Sequence, residues 1–339
     1  MKQHKILVIW SGPSNGTSAN LFKELVKVLE TRHIVRTAPN GTVPGSRAKK
    51  ILNHILCDLR RWPRVFSSDT VILHSYSALS LPTVLLARLL KRRIVVIQWD
   101  TYPITVDGKT LGGIYRKAFD RLELFLVGIS TRIVIPSEDF RAFVRHHDMS
   151  VMPLWPSVPL GQVGGRAVPA EGQPIRLAFV GQAGLTRGLP QAVARLGRET
   201  SACFELHIFS PKPPEEGLSD IAPNLRVVPR GYLERSSLLA ALRETDFGLI
   251  SLHPGMGQPG FPSKTFDYVA AGLPVIYTGR PLPAFAALLE RTGVGFALGE
   301  AAVDWPATLQ KTKSGMPEAV RAFAAETELD PETLDRVIF

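Results

Sequence analysis

The sequence predicts an α/β protein of two successive parallel-sheet domains facing a cleft, and three observations lead there. The chain has 339 residues, beyond the size at which a single hydrophobic core usually keeps growing, so two domains of about 150 residues are expected. Short apolar runs of strand length alternate with segments of helical periodicity, as in a parallel sheet covered on both faces. That alternation breaks off over a stretch crowded with proline and glycine, and then restarts.

In the first domain, expected over residues 1–160, Lys5 to Trp10 reads as a buried strand. The turn Ser11 to Gly16 leads into a helix with Leu21, Phe22, Leu25, Val28 and Leu29 on one side. Further strands are predicted at Thr70–His74, Arg93–Gln98 and Thr131–Ile135. Residues 153–174 hold five prolines and four glycines without periodicity, and a linker is placed there at 161–173. The second domain, 174–339, begins with the strand Ile175–Gly181 and continues with Phe204–Phe209, Leu225–Val228, Phe247–Leu252 and Pro274–Tyr277. Pro259 and Pro262 forbid a helix before Ser263. Ser263 is expected to cap a helix of about two and a half turns that Gly272-Leu273-Pro274 stops. The stretch Glu318 to Phe339 reads as helical and can pack back across the linker.

Charge is unevenly spread. Residues 1–160 carry 23 Lys and Arg against 11 Asp and Glu, a balance of +12, while the remainder carries −2 of the net +10. A basic half seeks something anionic, such as phospholipid, a phosphate-bearing substrate or nucleic acid. The apolar run Ile6–Trp10 is too short for a signal peptide, and no stretch approaches ~20 apolar residues, so a cytoplasmic protein is expected. Cys57 and Cys203, far apart and without metal-ligand spacing, read as buried thiols.

The chemistry concentrates in the second domain. Lys264 falls in the first turn of the expected helix, where a cation opposes the helix dipole. An anion held between the ammonium and the backbone N–H groups of that turn gives the placement a reason. Asp267, one turn along, can accept hydrogen bonds from ribose hydroxyls, so the pair describes a seat for a nucleotide diphosphate. The turn Val180 to Gly188, with Gly181 and Gln182, lacks both the GxGxxG dinucleotide fingerprint and the Gly-Lys-Ser/Thr of a P-loop. It nonetheless follows the first strand at the sheet edge where open α/β folds bind ligands. Arg187 in that turn points a planar guanidinium at phosphate oxygens, and with Lys264 facing the same crevice it makes a clamp.

Phe179-Val180-Gly181, Arg187-Gly188, Gly231-Tyr232, Pro262-Ser263-Lys264, Phe266-Asp267-Tyr268, Ala270, Gly272 and Pro274-Val275-Ile276 carry a resemblance. Across residues 175–300 the chain resembles the donor-binding domain of GT-B glycosyltransferases, the group-1 family, which mostly retains anomeric configuration and consists of two Rossmann-like domains. The resemblance implies that Arg187 and Lys264 bind the pyrophosphate, Asp267 the ribose and the Arg230-Gly231-Tyr232 stretch the base. Two positions depart from the family. Asp267 stands where the family usually has Glu, and Pro259 stands where the first of two acids eight residues apart belongs. Acid catalysis from position 259 is excluded, the backbone N–H groups of Gly260 and Phe261 are left to orient the donor sugar, and both retention and inversion stay open.

In the first half the strand ending Gln98-Trp99 is followed by Asp100-Thr101-Tyr102-Pro103, where the family commonly has His-Asp-x-x-Pro. An Asp at the carboxyl end of a central strand faces the crevice and can act as general base or stabilise positive charge. His74, at another strand end, reaches towards the same crevice, Gly12 and Gly16 allow a phosphate close to the backbone, and Glu138 can cap a following helix. In Ser46–Phe66, Ile51, Leu52, Ile55, Leu56, Leu59 and Trp62 recur at helical spacing, flanked by Arg47, Lys49, Lys50, Arg60, Arg61 and Arg64. With the cluster Lys91-Arg92-Arg93, such a helix suits an anionic membrane surface. The basic half lacks interleaved aromatics, so no nucleic-acid partner is expected.

The reading as a whole is a hexosyltransferase-type glycosyltransferase moving sugar from a nucleotide-sugar donor to a glycan or polyprenyl-diphosphate-linked acceptor. The resemblance places it in cell-envelope or exopolysaccharide assembly, cytoplasmic and peripheral on the plasma membrane. No cofactor and no metal are expected, since no Asp-x-Asp motif is present. Two alternatives stay open: a sugar-nucleotide 2-epimerase, and a non-catalytic partner subunit that keeps the nucleotide cradle.

Overall fold

The structure is a computed structural model. It describes residues 3–10, 17–38, 56–74, 80–99, 103–153, 155–156, 159–160, 167–170, 172–213, 218 and 221–339. Among them, two six-stranded sheets form.

The first contains β1 (Lys5–Ile9), β2 (Ile34–Thr37), β3 (Thr70–His74) and β4 (Arg93–Ile97). After a small hairpin of β5 (Thr105–Val106) and β6 (Lys109–Thr110), it adds β7 (Arg132–Ile135) and β8 (Met149–Val151). These pair in parallel in the order β2-β1-β3-β4-β7-β8. The second repeats the plan with β9 (Ile175–Val180), β10 (Phe204–Phe209), β11 (Leu225–Pro229), β12 (Phe247–Leu252), β13 (Val275–Gly279) and β14 (Gly295–Ala297). Its order is β11-β10-β9-β12-β13-β14, again parallel. The sheet architecture is therefore the two parallel-sheet layout expected. The long central strands are legible in the sequence, whereas β2, β8 and β14, edge strands of only four, three and three residues, are not.

In each sheet the chain leaves the first strand in one direction and later crosses back to the other side, between β1 and β3 and between β9 and β12. Crevices open at the carboxyl ends of strands at such reversals. Right-handed crossovers then sort the helices. In the first domain α1 (Thr17–Glu30) covers one face, placing Phe22 and Leu25 against Ile6, Val8, Ile72 and Val95. The other face is covered by α2 (Trp62–Phe66), α3 (Leu81–Leu89) and α4 (Ile114–Ile129), whose Val65, Val84, Ala87, Leu126 and Val127 pack on Leu7, Leu73, Ile94 and Ile133.

The second sheet is flanked by α5 (Leu189–Gly197), α6 (Arg235–Arg243), α7 (Thr265–Ala270) and α8 (Pro283–Thr292). The long α9 (Trp305–Thr327) follows, capped by Asp304, and then α10 (Pro331–Ile338), capped by Asp330. That last helix lies on the first domain. Asp335 sits 3.2 Å from Arg32 and 2.8 Å from His33. Arg93 donates to the carbonyls of Ile338 and Phe339 at 3.2 and 2.8 Å.

Three expectations are corrected. The described part of Ser46–Phe66 is not one continuous amphipathic helix, because a turn at 60–61 separates residues 56–59 from α2, and residues 46–55 lie outside the described residues. Arg61 is buried rather than solvated, with its guanidinium 3.2 Å from Asp58. Asp58 in turn accepts the Thr83 amide at 2.7 Å at the start of α3 and the Thr83 hydroxyl at 2.6 Å, so the buried carboxylate needs a countercharge. Burial raises the Asp58 pKa even so. Of the cysteines, Cys57 is half-buried and Cys203 exposed, both as free thiols.

Candidate active site

β9 and β12 pair only as far as Ala178 and Gly248, whereas β9 stays with β10 to Val180 and β12 with β13 to Leu252. At the carboxyl edge the two central strands therefore part. Tyr268 of α7 spans the gap: its hydroxyl accepts the Val180 amide at 2.9 Å and donates to the Leu249 carbonyl at 3.2 Å. Burial raises the phenol's pKa above its ordinary value, so it stays a neutral donor and acceptor. The ring packs over Gly248, where a β-carbon would overlap it.

The parted strands frame a cavity of about 370 Å³ whose lining includes Phe179, Ser251, Phe261, Ser263, Arg187 and Lys264. A second cavity of about 300 Å³ adjoins it and shares Val180, Gly181, Gln182, Ser263 and Lys264. Asp267, Arg235, Phe209, Pro211 and Tyr232 also line it, while Asn20 and Leu21 of α1 line it from the first domain. Lys264 thus belongs to both cavities, a charged end and a more apolar end.

The turns that present these cations have local reasons. Leu185–Arg187 forms one turn of 3-10 helix that ends at Gly188 in the left-handed conformation, φ +58°. A side chain at Gly188 would collide with the His253 backbone, so glycine is required twice over. Gly181, at φ +134°, lets β9 turn away over the cavity. Helix α7 is shorter than predicted, and Lys264 rather than Ser263 stands at its N-cap, without a side-chain cap. The Lys264 ammonium instead meets the Asp267 carboxylate at 3.0 Å, and the other Asp267 oxygen meets Arg235 at 3.2 Å.

The remaining expected residues distribute as follows. Gly181, Gln182, Arg187, Ser263, Lys264, Asp267, Phe261 and Tyr232 come together at the paired cavities. Arg230 lines neither, and its guanidinium lies 3.4 Å from His207 Nδ1; Gly231, at φ +72°, and Gly260 also lie outside the lining. His74 is buried between Phe22 and Trp99, with ring centroids 5.5 and 4.7 Å away, and burial lowers its pKa to about 3. Gly12, Gly16 and Asp100 lie outside the described residues. Arg235 joins the site unexpected from the sequence, although it opens α6 and so shows the same cation-against-dipole placement that singles out Lys264.

First-domain segments also reach the loop that leads into α7. Gly257 donates to the Thr105 carbonyl at 2.9 Å, Asp107 to Gly255 at 2.8 Å, and the Thr105 amide to Gln258 Oε1 at 2.8 Å. The β5–β6 hairpin therefore holds residues 255–258, just ahead of Pro259. Asp139, not Glu138, is the capping acid of its segment: it accepts the Ala284 and Phe285 amides at 3.0 and 3.1 Å, at the start of α8. Glu138 pairs with Arg141 instead.

No protein-family profile and no curated protein matches the chain. Solved structures do. A sucrose-phosphate synthase from Thermosynechococcus elongatus superposes with a TM-score of 0.63 at 12% identity, covering 98% of this chain and 97% of that one. A glycosyltransferase from Rickettsia africae gives 0.59 at 11% identity, over 99% and 98%. A glycosyltransferase involved in avilamycin A biosynthesis gives 0.55 at 17% identity, over 96% and 93%. With two six-stranded parallel sheets and nearly the whole length of each chain superposed, the protein has the GT-B fold.

Proposed function

We propose that the protein is a glycosyltransferase that takes a hexose from a nucleotide-diphosphate sugar and passes it to a glycan or lipid-linked acceptor. One observation carries the reading: Arg187 and Lys264, from separate turns, line one cavity at the parted edge of β9 and β12. Arg187, Lys264 and Arg235 less Asp267 leave a formal charge of about +2 around the two adjoining cavities, matching the roughly −2 of a nucleotide-diphosphate sugar. As the glycosidic bond breaks, further negative charge gathers on the departing diphosphate, and cations fixed beside it lower the barrier without reorganising. The apolar end, with Phe209, Pro211 and Tyr232, suits a nucleobase, and Asp267 between them suits the ribose.

The acceptor enters from the first domain, with Asp100 as the proposed base, and the basic first half fits an acceptor carrying phosphate or lying on an anionic membrane. The resemblance supports reading the reaction as a step of cell-envelope or exopolysaccharide assembly at the cytoplasmic face. One feature favours a second reading, a donor-binding partner subunit without turnover: Pro259 sits where an acid would be, on a loop held by the β5–β6 hairpin.

The test is calorimetric binding of UDP-, GDP- and dTDP-sugars to the wild type, Arg187→Ala and Lys264→Ala. Loss of a charge-assisted hydrogen bond of about 1.5–3 kcal/mol should weaken binding by roughly tenfold or more in each variant. Equal affinity in all three proteins would sink the clamp, and tight binding without turnover of any acceptor would select the subunit.

A further inference from the structure

We infer that the outer surface of the α2–α3–α4 layer is a docking face for an anionic lipid bilayer. This deepens the lipid-linked-acceptor reading and rests on it for its purpose, yet it stands on different residues from the donor site. Helix α3 packs between α2 and α4 on one face of the first sheet, and their inward residues share one core. Their outward residues are unusually apolar. Leu89 and Ile114 are each 78% exposed, Phe66 55%, Phe125 50%, Leu124 47% and Leu85 45%. Along α4 the exposed positions Ile114, Lys117, Ala118, Arg121, Leu124, Phe125 and Gly128 follow helical spacing, so they form one stripe.

The charges of this layer are sorted by sign. Across residues 56–66, 81–92 and 114–129 the carboxylates are Asp58, Asp120 and Glu123, at most 2% exposed. Asp58 pairs with Arg61, and Asp120 lies 2.8 Å from Arg116. Every exposed charge in those segments is basic: Arg60, Arg64, Arg88, Lys91, Lys117 and Arg121. Apolar side chains ringed by cations, with every acid turned inward, complement a surface that is apolar beneath and anionic at its boundary. The apolar groups project into solvent and line neither cavity of the cleft. A bilayer accepts such projections without a matching shape, whereas a protein partner would seat its anchors in pockets, and single-stranded nucleic acid would call for a platform of aromatics.

The experiment is sedimentation of the full chain with phosphatidylcholine vesicles, with and without about one-third phosphatidylglycerol. Leu89→Ser with Phe125→Ser forms one variant, Arg88→Ser with Arg121→Ser the other. Wild type should bind the anionic vesicles and not the neutral ones, and each double variant should bind about tenfold more weakly. Both should keep the wild-type melting temperature and nucleotide-sugar affinity, which separates failure of this face from failure of the donor site. No vesicle binding, or equal binding by wild type and the Leu89/Phe125 variant, would overturn the inference. So would a dimer that the Leu89/Phe125 variant dissolves, or retention on single-stranded DNA that only the Arg88/Arg121 variant loses.

Discussion

The Tyr268 hydroxyl lies 2.9 Å from the Val180 amide and supplies the partner that β12 no longer offers. A gap between two central strands of a parallel sheet would leave backbone groups without ladder partners, and such groups cost free energy unless satisfied. Tyr268 makes the gap tolerable by bonding both of its sides, and Gly248 makes room for its ring. Tyr268→Phe should destabilise the protein by about 1–3 kcal/mol, read as a lower denaturant midpoint with unchanged slope. Nucleotide-sugar affinity should fall with it, since the cavity loses its spacer. A variant as stable as wild type would show that the hydroxyl is not what holds the strands apart.

Asp267 lies between two cations, so its removal should act oppositely on two ligands. In Asp267→Asn, Lys264 and Arg235 lose a shared carboxylate at 3.0 and 3.2 Å and turn more positive charge on the cavity. Inorganic pyrophosphate, which has no ribose, should bind a few-fold more tightly, a gain of about 1 kcal/mol at these part-exposed positions. A nucleotide-sugar should bind more weakly because the ribose loses its acceptor. Parallel changes for both ligands would show that Asp267 meets no sugar hydroxyl and acts on charge alone.

What the sequence made legible follows from length and composition. β3, β10 and β12 were readable to the residue because each is a stretch of five or six rich in Val, Ile, Leu and Phe and bounded by polar turns. β2, β8 and β14 are too short for any period to register. The cations Arg187 and Lys264 were legible because glycine and proline fix the turns that carry them. Arg235 needed only the dipole argument already applied to Lys264. Arg61 and Tyr268 were not legible in their true roles, because a buried ion pair with Asp58 and a hydroxyl between two strands are tertiary facts that no local spacing encodes. The same holds for the cap that Asp139 places on a helix 145 residues away.

His74 predicts how stability depends on pH. Buried between Phe22 and Trp99, its folded pKa of about 3 lies far below the usual 6.5, because burial disfavours the charged ring. The unfolded chain takes up the proton first, so the stability this group supports is complete above pH ~6.5 and is lost as pH falls towards ~3. Linkage puts the loss at about 2 kcal/mol by pH 5. Asp58, raised by burial, works in the opposite sense, in the range upward from its ordinary value of 3.8. Denaturant midpoints at pH 7 and pH 5 measure the difference, and His74→Gln should flatten it. An unchanged slope in that variant would place the sensitivity elsewhere.

Asp139 predicts how firmly the domains are joined. Its carboxylate, carried by a turn of the first domain, accepts two amides at the start of α8 in the second, at 3.0 and 3.1 Å. Helix N-termini leave amides without intrahelical partners, and negative charge is favoured there by the dipole, so one side chain both caps a helix and bridges the domains. Arg280 adds to the bridge, its guanidinium 5.1 Å from the Phe143 ring centre and its Nη1 donating to the Met256 carbonyl. Asp139→Ala should cost about 1 kcal/mol, the usual worth of a cap. More tellingly, it should loosen the domains without melting either, because each domain also has a core that α8 does not enter. Hydrogen exchange would then show faster exchange at Ala284 and Phe285 and in the hairpin Thr105–Thr110, with the strands of both sheets unchanged. Asp139→Asn, which keeps an acceptor but not the charge, should fall between the two. If exchange rises only within α8 and the hairpin stays protected, Asp139 is a local cap, and the domains are held instead by the Thr105–Gly257 and Asp107–Gly255 hydrogen bonds together with α10 on the first domain.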